Sequence, residues 1–181
     1  MERKILEKLD YSHPWVTAKE HILQVYDEAK RLKGQALDIG CFQGHSVHAL
    51  DIGCFQGHSA LAMGLAKMEV SLVDIHIDYL DKVTDLLETH SCIVNTAAMC
   101  ESAKVLNWIE PVEMIMHDAQ HGQSVVPELL LFWEKVKSGG TFIIHDTDQI
   151  DLASFIKALG YPENKTTADE RGRCLSIFYK P

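Results

Sequence analysis

Residues 36–46 read Ala-Leu-Asp-Ile-Gly-Cys-Phe-Gln-Gly-His-Ser, and residues 49–59 repeat the same eleven letters. A short apolar run closes on an acid and two glycines. That order suits a buried strand entering a tight turn, whose bare backbone N–H groups can receive a ligand's polar atoms. The period is thirteen residues, and only the last two positions differ, Val47-His48 against Ala60-Leu61. A solenoid needs about three repeats or more, so the pattern reads as a local duplication. A helix cannot absorb it. At about 100° per residue, thirteen extra residues rotate everything downstream by roughly 220° and turn the apolar face outward. One copy must act as strand and turn, while the other is looped out or forms extra edge structure. The first copy (36–48) has the closer lead-in, from Gly34. The second (49–61) has the better exit, with Ser59 placed to cap an Ala/Leu/Met-rich helix. The second copy is expected to be the working one, because a ligand turn gains from the helix it opens.

The remaining sequence narrows the setting. At 181 residues the chain is expected to be a single domain, with residues 1–33 as an N-terminal helical segment. A net charge of −9 disfavours a nucleic-acid surface, which needs clustered Lys and Arg. No apolar run of about 18 residues suggests a membrane span, and the start, Met-Glu-Arg-Lys, is unlike a signal peptide. The five cysteines form no C-x-x-C pair, which points to reduced thiols and a cytoplasmic setting.

Thr17-x-x-Glu20 spells a capping box before the apolar stripe Ile22, Val25, Tyr26, Ala29 and Leu32, so a helix is expected over 18–33. Beyond the repeat, strands are expected at 69–74, 92–95, 112–117, 141–145 and 174–179. Helices are expected at 79–89, 102–109, 125–136 and 152–159, with Gly139-Gly140 as a stop and a polar loop near 160–173. Strands alternating with helices imply an α/β fold: a Rossmann-like, doubly wound, mostly parallel sheet covered on both faces. Ligands of such folds bind beyond the strands' C-terminal ends, near the switch in strand order. Asp51, Asp74, Asp118 and Asp146 all fall at or near those ends.

Leu50-Asp51-Ile52-Gly53-Cys54-Phe55-Gln56-Gly57 resembles the first motif of the class I S-adenosylmethionine-dependent methyltransferases, with Phe55 in place of the middle glycine. Asp74 resembles the acid that holds the cofactor's ribose, and Cys100-Glu101-Ser102-Ala103 the turn bordering its adenine. Met114-Ile-Met-His-Asp118-Ala-Gln-His121 resembles the D-G-D-H motif of small sugar and antibiotic O-methyltransferases. Lys137 to Asp146 resembles their K-P-G-G strand ending in H-D. The resemblance covers roughly residues 34–148. It implies S-adenosylmethionine bound by Asp51, Gly53, Phe55, Gly57, Asp74, Glu101, Ser102 and Asp118, with Met99 packing on the ring. It also implies a divalent ion such as Mg²⁺ on Asp118 and Asp146. Asp118, His121 and His145 are then the catalytic candidates, since imidazole titrates near working pH.

The implied reaction is methylation of a small hydroxylated acceptor. No lid domain is evident, so the N-terminal helices, the 160–173 loop or a second copy in a homodimer must cover the acceptor. Three other readings compete. A nicotinamide oxidoreductase would want G-x-G-x-x-G, which Gly53-x-x-x-Gly57 does not supply. A non-heme-iron oxygenase would use His121, His145 and Asp118 as a facial triad. A non-catalytic cofactor-binding module is the third. The duplication generates an asymmetric prediction. Calorimetric titration with S-adenosylmethionine should show binding abolished by Gly53→Val and tolerated in Gly40→Val; the reverse pattern would move the site to the first copy.

Overall fold

Helix α2 (Lys19–Lys33) follows the short α1 (Glu2–Leu6) and leads towards β1 (His48–Ile52). The chain then alternates through α3 (His58–Leu65), β2 (Glu69–Asp74), α4 (Ile77–Thr89), β3 (Ile93–Met99), α5 (Ser102–Val105), β4 (Val112–His117), α6 (Val126–Lys135), β5 (Val136–Ile144) and α7 (Leu152–Ala158). It ends in a hairpin of β6 (Asn164–Ala168) and β7 (Cys174–Tyr179). This computed structural model describes residues 2–14, 16–33, 48–52, 55–107, 109–119 and 122–181.

The strands form one seven-stranded sheet in the order β3-β2-β1-β4-β5-β7-β6. The first five are parallel, and β7 runs antiparallel to both β5 and β6. Strand periodicity divides the side chains between two cores. Met114, Met116, Ile143, Leu175 and Ile177 face the layer that contains α1 to α4. Ile115, Phe142, Ile144 and Phe178 face the layer of α6 and α7. In that second core Phe155 of α7 packs edge-on against Phe142 at 6.2 Å and Phe178 at 5.2 Å. Helix α3 is buried along its whole length, which suits its Ala/Leu/Met content and weak amphipathicity.

The α/β, doubly wound architecture matches the expectation. The second copy supplies β1 from Ala49 onward and the start of α3, and β1 sits between β2 and β4, in the middle of the five parallel strands. The first copy, apart from His48, lies outside the described residues.

Several boundaries differ from expectation, each for a local reason. The helix expected to reach Val136 ends at Lys135, and β5 begins at once, carrying Gly139-Gly140 inside the strand rather than as a stop. Gly140 belongs there because a Cβ would stand 2.6 Å from the Glu113 carbonyl oxygen. The expected helix 102–109 shortens to α5, while β3 extends from its expected end at Asn95 to Met99. The expected 160–173 loop contains β6, a polar, mostly exposed edge strand paired to β7. Gly57, not Ser59, is the N-cap of α3.

Candidate functional site

The chain leaves β1 to one side for β2 and β3, then crosses back to place β4 on the other side. A crevice opens at this switch, beyond the C-terminal strand ends. It holds a cavity of about 410 Å³ lined by Phe55, Val73, Asp74, Ile75, His76, Tyr79, Cys100, Glu101, Ser102, Asp118 and Ala119. That volume falls in the roughly 300–1,000 Å³ range of small-molecule sites.

The expected residues that the structure describes can be placed against this cavity. Asp51 lies on β1, in register with Leu72 of β2 and Met116 of β4. Gly53 and His121 lie outside the described residues. Phe55 lines the cavity and holds φ 36°, a strained value for a non-glycine residue. Its ring is flanked by Tyr79 of α4 at 5.1 Å and by His13 of the N-terminal segment at 5.6 Å. Gly57 takes φ 75°, and a Cβ there would stand 2.7 Å from Cγ1 of Val83, so the turn packs directly on α4. Asp74 ends β2, is 8% exposed, and accepts from the backbone N–H of His76 at 2.9 Å and of Phe55 at 3.4 Å. This carboxylate thereby ties the glycine turn to the second strand. Glu101 and Ser102 form the facing wall. Glu101 is solvated, 3.5 Å from Lys104, whereas Ser102 is 5% exposed. Met99 is 60% exposed at the end of β3.

A second group gathers at the ends of β4 and β5. Nδ1 of His145 lies 3.1 Å from Oδ1 of Asp118 and 3.3 Å from Oδ1 of Asp146. Burial by itself would push the His145 pKa down. The hydrogen bond to Asp118, with the charges of Asp118 and Asp146, outweighs it and raises the value. Asp146 adopts the left-handed φ of 51°, which turns the chain sharply just after the strand. Ligand atoms of Asp118, His145 and Asp146 all lie within 4.8 Å of one another. Two carboxylates and an imidazole make a donor set that fits a divalent cation with room left for water. Of the three, only Asp118 lines the cavity; His145 is 2% exposed, behind it.

Some partners of this group were not legible in the sequence. Thr17, read there as a helix cap, directs its hydroxyl to Oδ2 of Asp118 at 3.3 Å, and α2 starts at Lys19. The His21 ring stands edge-on to His145 at 5.4 Å, with burial and the neighbouring imidazole lowering its pKa. Arg171, in the turn between β6 and β7, donates to the carbonyls of Tyr11 (3.2 Å), His13 (3.4 Å) and Pro14 (3.0 Å). Arg173 adds a bond to the Val16 carbonyl at 2.9 Å. The two arginines fasten the N-terminal segment beside the cavity mouth. On the adenine-motif side, Glu128 of α6 accepts from Ser102 at 2.5 Å and pairs with His117 at 3.2 Å.

Comparison with known proteins identifies a family and a fold. A family model described as a methyltransferase domain matches residues 50–147, more than half the chain. No curated protein matches the chain. Among solved structures, the SAH-bound methyltransferase PaMTH1 from Podospora anserina is 11% identical, with 99% of this chain and 86% of that one covered and a TM-score of 0.65. A putative rRNA methylase from Clostridium thermocellum is 15% identical, covering 92% and 99%, with a TM-score of 0.65. The precorrin-6y C5,15-methyltransferase from Geobacter metallireducens is 11% identical, covering 97% and 96%, with a TM-score of 0.66. At these identities the likeness is one of fold. Among the described residues, no helix is long and apolar enough to cross a membrane.

The partly buried Glu128 generates a prediction about acid. Its hydrogen bond with His117 holds its pKa below the ordinary 4.5 against the opposing effect of burial, and the bond from Ser102 lowers it further. A depressed carboxyl contributes stability in full above its unfolded value and loses it as pH falls through the folded value. Glu128→Gln should therefore destabilise the protein at about pH 6, and the difference should shrink as pH falls towards about 3. Urea midpoints across that range measure it; a difference that stays constant with pH would contradict the assignment.

Proposed function

The chain belongs to the methyltransferase-domain family and is an S-adenosylmethionine-dependent methyltransferase; we propose that it methylates a hydroxyl oxygen of a small acceptor, using the cavity at the ends of β1, β2 and β4. The observation that carries the site assignment is Asp74. A nearly buried carboxylate ends the strand next to the glycine turn and faces a cavity of nucleoside size. A carboxylate is acceptor-only and has two oxygens, so it suits the paired hydroxyls of a ribose. Phe55 and Tyr79 supply apolar wall, and Glu101 and Ser102 supply acceptors for the base. Asp51, Gly53 and Gly57 are assigned to the strand and turn that approach the methionine portion.

S-adenosylmethionine supplies a methyl group on a positively charged sulfur, which leaves as a neutral thioether when an acceptor oxygen bonds to the methyl carbon. The chain's residues have three tasks. The turn and Asp74 hold the donor, since placement can supply a large part of the rate. Asp118, the only member of its cluster on the cavity wall, accepts the acceptor's hydroxyl proton. His145 lies behind Asp118, orienting it and stabilising its charge through the 3.1 Å contact. This gives His145 a positioning task rather than that of the base, and leaves His121 as a candidate. Asp118 and Asp146 would hold Mg²⁺, which lowers the pKa of a coordinated hydroxyl.

The acceptor's wall is assigned to residues 11–14, 16 and 17 and the 169–173 turn. The contact of His13 with Phe55 and the bond from Thr17 to Asp118 bring the first segment to the cavity, and Arg171 and Arg173 anchor it. A chain with a net charge of −9 favours a small molecule over a nucleic acid as acceptor.

Calorimetry and turnover test this reading. S-adenosylmethionine should bind the wild type, and Asp74→Asn should weaken it by about tenfold or more, the scale of a hydrogen bond to a charged group. A panel of phenols and sugars, assayed for S-adenosylhomocysteine release with Mg²⁺ and with EDTA, should reveal a hydroxyl acceptor. Arg171→Ala should raise KM for that acceptor while leaving donor affinity within about twofold. Binding without turnover on any hydroxyl compound would overturn the O-methylation reading.

A further inference from the structure

The wall at Ser102 has a second polar layer. Ser102 lines the cavity, and behind it Oε1 of Glu128 receives the serine hydroxyl at 2.5 Å and faces Nε2 of His117 at 3.2 Å. Glu128 and His117 are not part of the cavity lining, and His117 is 1% exposed, edge-on to Phe132. The hydrogen-bond roles follow from valence. An ionised carboxylate only accepts, so both neighbours must donate to it. His117 carries its proton on Nε2, a tautomer inferred from the network. Its Nδ1 is buried without a hydrogen-bond partner. Ser102 has one proton, and that proton is directed to Glu128. The oxygen turned towards the cavity therefore offers lone pairs.

We propose that Glu128, acting through Ser102, makes this wall a hydrogen-bond acceptor and so selects a 6-amino purine over a 6-oxo purine in the methyl donor. The inference rests on the reading of the cavity as the donor site. A 6-amino group can donate to Ser102, whereas a 6-oxo group sets one lone pair against another in a place nearly closed to water, where an unmatched polar group is costly. Glu101 cannot impose the same choice, because its carboxylate is about two-thirds exposed and water can satisfy it. Ser102 is fixed and buried, so it discriminates. Glu128 is a positioning residue: it touches no ligand, and it acts by deciding which way the serine proton points.

The test compares S-adenosylhomocysteine with S-inosylhomocysteine by calorimetry. The wild type should prefer the adenosyl compound by about tenfold or more. Ser102→Ala and Glu128→Gln should each reduce that ratio by about threefold or more, since the first removes the acceptor and the second introduces an amide that can donate to the hydroxyl. A merely structural role would weaken both ligands by one factor and leave the ratio unchanged, and that result overturns the proposal. The wild type alone gives a second check that needs no variant: an analogue with hydrogen at the purine 6-position should bind between the other two, and equal affinity for all three overturns the proposal. If the wild type bound none of them, the donor-site reading itself would fall, a result distinct from an unchanged ratio.

Discussion

Everything at this site depends on the position of β1. With β2 on one side and β4 on the other, β1 marks where the parallel sheet reverses its direction of growth. The connections leaving β1 and β4 diverge there, and the space between them cannot be filled by either. Asp74 makes that gap a defined site. By accepting from the N–H groups of His76 and Phe55, it holds the glycine turn against the second strand and presents its carboxylate at the cavity wall. The close packing of Gly57 on Val83 sets the turn's height above α4.

Around this centre the polar side chains are arranged in pairs of layers. Asp118 lines the cavity and His145 lies behind it; Ser102 lines the cavity and Glu128 lies behind it. In each case an ionisable group, buried for His145 and partly buried for Glu128, hydrogen-bonds the side chain in front of it. The hairpin at the far edge of the sheet reaches the same region through Arg171 and Arg173, which hold the N-terminal segment so that Thr17 meets Asp118. The N-terminal segment thus meets both Phe55 and Asp118 of the cavity wall while the hairpin holds it from behind.

Strand cores and the ends of the inner strands were legible because burial on both faces demands continuous apolar runs, and polar residues mark where those runs meet solvent. Glu69–Asp74, Val112–His117 and Cys174–Tyr179 occur as expected. Edge structure was not legible. Asn164–Ala168 is polar and pairs on one side only, so no apolar period betrays it, although Thr166 and Thr167 are β-branched and favour strands. The residues Asp74, Glu101, Ser102 and Asp118 were recognisable by position, and the fold brings them to one cavity. Contacts across 101 residues, such as Thr17 with Asp118, leave no local signature, and a Thr before a helix reads first as a cap. Glu128 was hidden for the same reason: in the first turn of α6 it looks like a favourable charge near a helix start.

The most direct measurement is a crystal structure of the protein with S-adenosylhomocysteine. The account predicts the ribose hydroxyls within hydrogen-bond distance of the Asp74 carboxylate, the base against Ser102, and the sulfur directed towards Asp118. A ligand seated elsewhere, or an Asp74 carboxylate turned away from the ribose, would contradict it.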